Sequence, residues 1–215
     1  MFGQLIRLAV LGTLGMAAGL AAMNPLPSPV VDLPKASGEQ TAVLAGGCFW
    51  CTESVFEHVI GVKKVISGYA GGTKETAHYE IVGSGRTGHA ESIQVTFDPA
   101  KISYGTLLKV FFGVAHDPTT KDRQGPDWGK QYRSEIFYAN EDQKRVAEAY
   151  IKQLDEADVF KKPIVTQVAP LEAFYPAEEY HQDFVAHHPD HPYVVVNSIP
   201  KLHKLEKTFP DLYRK

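Results

Sequence analysis

The chain has 215 residues and only two cysteines, Cys48 and Cys51, which stand together in Gly46-Gly47-Cys48-Phe49-Trp50-Cys51-Thr52-Glu53. A crosslink over so short a spacing closes almost no loop entropy, so the pair points to chemistry rather than to stapling. A thiol reacts as its thiolate, and a helix N-terminus favours that form through free amides and the helix dipole. Residues 41–45 read as a short apolar strand ending at Gly46-Gly47, where a tight turn is cheap. Cys48 then opens a helix that runs to about His58. This geometry predicts a lowered pKa for Cys48 and casts it as a nucleophile. Cys51, one helical turn on, is placed to resolve it as a disulfide. Helical position alone favours Phe49 and Trp50 as core; their place between the sulfurs instead suggests an apolar slot.

Other chemistries fit the pair less well. A zinc site would want a second C-x-x-C or a histidine pair. His187, His188 and His191 lie among Pro189 and Pro192, which reads as an exposed turn, so no metal and no cofactor is expected. C-x-x-C by itself would also suit a thioredoxin-like domain, which usually carries small or turn-forming residues where this chain has Phe49-Trp50. The net charge of −3 and a pI near 6.3 give no sign of a nucleic-acid or anionic-membrane partner.

The first 21 residues combine a short basic start with an apolar run from Leu8 to Ala22, the pattern of a signal peptide. That run is shorter than the ~20 residues that span a bilayer, though an uncleaved anchor is the alternative. The body of the protein is thus expected outside the cytosol, in a periplasmic or other extracytoplasmic space. There, close thiols oxidise and a catalytic cycle needs a delivered reductant. Residues 22–40, with Pro25, Pro27, Pro29 and Pro34, read as a linker. Residues 41–215 are then one domain, expected to be a monomer.

Within that domain, residues 62–69 read as a strand and residues 79–82 as a short strand or turn. Residues 91–97 alternate as a half-buried strand. Ser103 caps a helix through Phe112. Residues 113–131 form a long polar loop of the kind that is usually functional. Residues 134–138 are a strand, Asn140 caps a helix over 141–156, residues 163–168 are a strand, and Pro176 starts a helix through Phe184. Direct strand-to-strand steps imply antiparallel pairs. The expected fold is α+β: a two-layer sandwich with a ferredoxin-like split βαβ core and a mixed sheet.

Several blocks carry a resemblance. Gly46-Gly47-Cys48-Phe49-Trp50, Gly68-Tyr69-Ala70-Gly71-Gly72, Tyr79-Glu80-Ile81-Val82, Thr87-Gly88-His89-Ala90-Glu91, His116-Asp117-Pro118, Gly129-Lys130-Gln131-Tyr132-Arg133-Ser134 and Tyr180-His181-Gln182 together resemble, in order, the peptide methionine sulfoxide reductase A family. The resemblance covers the chain after residue 40. It implies reduction of methionine-S-sulfoxide, free or in proteins, with a thioredoxin-like reductant. It makes Cys48 the nucleophile, Phe49 and Trp50 the pocket for the substrate methyl group, and Glu91 the acid that protonates the sulfoxide oxygen. Tyr79 and Tyr132 become hydrogen-bond donors to that oxygen, and Asp127 a support of the pocket. Many relatives have glycine at position 51 and resolve with a C-terminal cysteine. This chain has no cysteine after Cys51, so Cys51 or an external thiol takes that role.

The chemistry of the residues agrees with that implication. Sulfoxide reduction pairs a thiolate with a neutral acid. Burial of Glu91 at a strand start would keep it protonated near neutral pH. Two simpler readings stay beside it, a general thiol–disulfide oxidoreductase and a binding module that uses the aromatic slot without turnover. Among neighbouring polar residues, His89 and His116 read as loop-fixing groups and Glu53 as a surface residue that compensates the helix dipole.

Overall fold

A computed structural model describes residues 26–34 and 36–215; the expected signal peptide lies outside the described residues. The chain runs β1 (Gln40–Gly46), α1 (Phe49–Glu57), β2 (Val62–Ala70), α2 (Tyr79–Gly83), β3 (Ala90–Phe97), α3 (Tyr104–Val110), a short β4–β5 hairpin (Arg123–Gln124 and Asp127–Trp128), β6 (Ser134–Tyr138), α4 (Glu141–Glu156), β7 (Gln167–Pro170), β8 (Phe174–Pro176), α5 (Phe184–His187), α6 (Pro192–Asn197) and α7 (Ile199–Thr208). Six strands form one sheet in the order β7-β6-β1-β3-β2-β8. Its central four, β6-β1-β3-β2, are antiparallel throughout, and β7 joins β6 in parallel. The β-α-β-β-α-β order of those central strands and of α1 and α3 is the expected split βαβ core.

Alternation along the strands divides the sheet into two faces. Ala42 and Leu44 of β1 face the main core with Ile93, Val95 and Phe97 of β3, under Val55, Phe56, Leu107, Leu108, Val146 and Tyr150 from the helices. Val43 and Ala45 face the other way, into a small cluster with Ala70, Ala90 and Phe137. Two helix starts follow directly from sequence: the Ser103 hydroxyl accepts from Thr106 N–H and the Asn140 side chain accepts from Gln143 N–H.

Four local expectations change. Residues 79–82 are helical (α2), because Tyr79 N–H is anchored on Glu178 Oε1 at 3.0 Å and the turn closes on the His78 carbonyl. The strand expected at 163–168 lies at Gln167–Pro170, where parallel pairing to β6 sets the register. The helix expected from Pro176 to Phe184 is instead the end of β8, a 3-10 turn and the start of α5, since pairing with β2 holds Pro176 in the strand. The proline-rich stretch, in its described part, is a strap against α3 and α4. Tyr150 donates to the Pro27 carbonyl at 2.8 Å, Gly105 N–H donates to Asp32 Oδ1 at 2.8 Å, and Leu26, Val31 and Leu33 pack on the core.

Gly68 lets β8 close onto β2. A Cβ there would overlap the Phe174 ring and the Tyr175 carbonyl oxygen. Gly68→Ala is expected to lose about 2 kcal/mol of stability, read as a lowered urea midpoint at unchanged m-value, whereas Gly83→Ala, with open space at its Cβ, should lie close to wild type.

Candidate active site

β1 delivers the chain to Gly47, whose φ of +87° turns it sharply into α1. A Cβ at Gly47 would lie 2.5 Å from Gln124 Cβ and Cγ, so glycine also admits the buried side chain that pins the long loop. Gln124 holds that loop through both its amide atoms, accepting from Asp117 N–H at 3.0 Å and donating to the Asp117 carbonyl at 2.7 Å. Cys48 is the N-cap residue of α1, partly exposed, and Cys51 is buried one turn later; both are free thiols.

Glu91 comes from the neighbouring strand β3 and is 2% exposed. Its Oε2 accepts the Phe49 backbone N–H at 3.1 Å. Burial, with smaller contributions from the charges of Asp127 and Cys51, pushes the carboxyl up to about 8 against the Phe49 hydrogen bond. Arg133 fixes the start of β3 by donating to the Gly88 and His89 carbonyl oxygens while its Nε pairs with Glu135 at 2.6 Å. Tyr79 and Tyr132 are both shifted upward, first by burial and then by the charge of Glu91. Cys48 and Asp127 also act on both phenols, which stand near the acid and the first sulfur.

The aromatic pair divides its work. Phe49 is core, 1% exposed, packed against Tyr69, Tyr79 and His181. Trp50 is half-buried and stacks on Phe184 with centroids 3.7 Å apart, while its Nε1 donates to His181 Nδ1 at 3.1 Å. His181 and Phe184 belong to a stretch tied down at several points. Glu178 joins Tyr69 and Tyr79, Gln182 pairs with both backbone groups of Ser67, and Glu53 Oε2 accepts Asp183 N–H. Glu53 is therefore not a surface residue. It is 1% exposed, and burial pushes it up to about 7.

The expected lowering of the Cys48 pKa is reversed. Burial raises it, followed by the hydrogen bond and charge of Cys51 and the charge of Glu91. The first free amide of α1, which would have served the thiolate, is taken by Glu91. Within the pair the negative charge sits on Cys51, lowered to about 6 by the hydrogen bond from Cys48, with Lys201, Ser198 and Tyr193 adding to it against burial. A cleft of about 340 Å³ opens on both sulfurs, bounded by Asp127, Tyr193, Asn197 and Lys201. Asp127 reaches the site through Tyr193, whose hydroxyl donates to its Oδ2 at 2.6 Å. Thus Cys48, Cys51, Glu91, Tyr79, Tyr132, Phe49, Trp50 and Asp127 come together around the start of α1. His187, His188 and His191 are exposed, and the described residues contain no cluster of three or more ligating side chains fit for a metal.

Residues 40–213 match the peptide methionine sulfoxide reductase family. The chain belongs to that family. It is 54% identical to peptide methionine sulfoxide reductase MsrA 2 of Mesorhizobium japonicum over 85% of this chain and 94% of that protein. It is 52% identical to MsrA of Thermus thermophilus over 82% of this chain and 98% of that protein. Among solved structures, reduced Mxr1 from Saccharomyces cerevisiae superposes with a TM-score of 0.64 at 32% identity, over 77% of this chain and 94% of that one. Methionine sulfoxide reductase A of Corynebacterium diphtheriae does so with a TM-score of 0.62 at 32% identity, over 77% and 83%.

The roles of Tyr193, Ser198, Lys201 and Phe184 were missed from sequence. The only local signals were Pro192 and Pro200, which suit first-turn helix positions, and the helical spacing of Ile199, Leu202 and Leu205. His181 lies in the Tyr180-His181-Gln182 block, but its bond to Trp50 spans 131 positions of sequence and has no local signal.

The raised pKa of Glu91 has a measurable sign. Between its ordinary 4.5 and about 8 the folded protein keeps a proton that the unfolded chain releases, so this contribution is complete below 4.5 and is lost as pH rises through about 8. Difference infrared spectra of wild type minus Glu91→Gln should therefore show a protonated carboxylic acid at pH 7 that disappears through pH 8, separate from the raised carboxyls of Glu53 and Glu57 that both proteins share. Thermal melts of that variant should fall less than wild type across the same window.

Proposed function

We propose that this protein reduces methionine-S-sulfoxide to methionine, free or within proteins, with Cys48 as nucleophile. The observation that carries the assignment is the buried, proton-holding Glu91 joined to the first amide of the cysteine helix. The cysteine pair holds one proton and one negative charge between its sulfurs, and proton exchange within it puts the thiolate on Cys48. That thiolate attacks the sulfoxide sulfur while Glu91 gives its proton to the oxygen, and the Tyr79 and Tyr132 hydroxyls stabilise the charge growing there. The protonated oxygen passes from the substrate sulfur to the Cys48 sulfur, so one S–O bond breaks as another forms, the transient bond between the two sulfurs breaks, methionine leaves, and Cys48 becomes a sulfenic acid. The half-buried Trp50, stacked on Phe184, forms an apolar wall for the substrate methyl group, and Phe49 supports the site from the core.

Cys51 then attacks the sulfenic sulfur, releasing water and forming the Cys48–Cys51 disulfide. A thioredoxin-class dithiol reduces it, so the net cycle consumes two electrons and two protons per sulfoxide. Asp127 supports the pocket through Tyr193. No metal or organic cofactor enters these steps. Family membership and a proton donor beside the thiol favour this reading over a general thiol–disulfide oxidoreductase or a binding module. Export is part of the proposal. It is supported by the basic start and the apolar run at residues 8–22, and N-terminal sequencing of protein from its host should begin near residue 22.

Cys48→Ser is expected to abolish methionine formation even with excess dithiothreitol. Cys51→Ser should keep a burst of one methionine per enzyme and lose turnover with thioredoxin. Glu91→Gln should lower the rate at pH 7 by roughly 10²–10⁴-fold. A Cys51→Ser enzyme that cycled normally on thioredoxin would sink the resolving role.

A further inference from the structure

The junction between α6 and α7 carries a serine that does not behave as a cap. Ser198 precedes α7, where a hydroxyl ordinarily accepts from a backbone N–H of the first turn. Its side chain makes no such bond. The residue is fully buried, and its Oγ stands 3.1 Å from Cys51 Sγ. One turn on, Lys201 lines the cleft that opens on both sulfurs, and its ammonium is fixed by donation to the Ala115 carbonyl at 2.7 Å. Tyr193, on α6, has its hydroxyl 4.0 Å from the same sulfur, but that hydroxyl donates to Asp127.

We propose that Ser198 and Lys201 are positioning residues for resolution: they hold the Cys51 sulfur as a thiolate and in place to close the disulfide on Cys48. This rests on the reading of Cys51 as the resolving thiol. The step they serve is Cys48–SOH plus Cys51–S⁻ plus one proton going to Cys48–S–S–Cys51 plus water. The S–S bond forms, the S–O bond breaks, and the hydroxide leaves with the added proton. The Ser198 hydroxyl donates to the thiolate, and the Lys201 ammonium supplies the positive charge. The other titratable groups that line this cleft are Cys48, His116, Asp117, Asp127 and Lys204, and Tyr193 stands between Asp127 and the Cys51 sulfur. The burial that disfavours a Cys51 thiolate is offset first by the hydrogen bond from Cys48 and then by Lys201 and Ser198. The C-terminal segment, which contributes no cysteine, contributes to the redox step through the sulfur of α1.

The test separates the first turnover from the closure that follows it. In rapid-quench experiments with excess methionine sulfoxide, methionine reports the burst and mass spectrometry of dimedone-treated enzyme reports sulfenic acid awaiting closure. Ser198→Ala and Lys201→Met should each slow closure about tenfold relative to the burst, the size of one hydrogen bond to a charged group. Ser198→Thr and Lys201→Arg should recover most of it. In a Cys48→Ser background, iodoacetamide alkylation of Cys51 should move to higher pH in both of the first two variants. Unchanged closure and alkylation profiles would overturn the proposal, as would a burst that falls by the same factor as closure. If Cys51→Ser itself turns over normally on thioredoxin, the resolving role fails first; if that variant stalls while Ser198→Ala and Lys201→Met close normally, only the present proposal fails.

Discussion

The hydrogen bond from the Phe49 amide to Glu91 ties the site together. It joins the first turn of the cysteine helix to the neighbouring strand and holds the acid beside the nucleophile, where burial raises both groups. An amide at a helix start normally favours an anion near it. Here that anion-favouring group faces a carboxyl so deeply buried that it keeps its proton all the same. The acid is thereby available as a donor, and the thiol at the same helix end loses the amide that would have eased its ionisation. A mobile carboxylate in place of Glu91 would reverse both effects. The Arg133 contacts at the start of β3 and the Gly47 turn at the start of α1 keep the two ends of this bond at a fixed distance.

Around that bond the cysteine pair is asymmetric. Cys48 faces the acid and the phenols, and Cys51 faces the C-terminal helices. A pair of close thiols in a common environment would share one proton evenly. This pair does not, because the hydrogen bond within it and the cation of Lys201 favour charge on Cys51. Attack and resolution therefore draw on different parts of the fold. The aromatic wall belongs to a further part: Trp50 is oriented by His181 and Phe184, in a stretch held to β2 and α1 by Glu178, Gln182 and Glu53. Burial of Glu53 on the helix that bears both sulfurs is what lets α1 serve as the common support.

Much of the scaffold was legible because its signals are local. The alternation in β3, the caps at Ser103 and Asn140, and the glycine pair before Cys48 each follow from a few neighbouring residues. The stretches that changed are those governed by distant partners. Residues 79–82 carry β-branched and aromatic side chains yet turn helical on an anchor from Glu178, and residues 176–184 begin with proline yet form no continuous helix, because Pro176 is held in β8 by pairing with β2. The proline-rich stretch packs on α3 and α4 because Tyr150, Gln153 and Gly105 accept or donate to its backbone and to Asp32.

For the site, the sequence by itself singled out the two sulfurs one turn apart as candidates and, through the family blocks, Glu91, Tyr79, Tyr132, Phe49 and Trp50 beside them. Those features depend on residue types at fixed spacings, and spacing along one helix or strand is a local property. Tertiary structure alone decided where the charge rests. A pKa depends on burial and on every charge within a few ångströms, and the groups that set it here come from β3, the β4–β5 hairpin, α6 and α7. The same cause hid Ser198 and Lys201, which lie about 150 positions along the chain from the sulfur they face and enter the site only because α7 packs against α1.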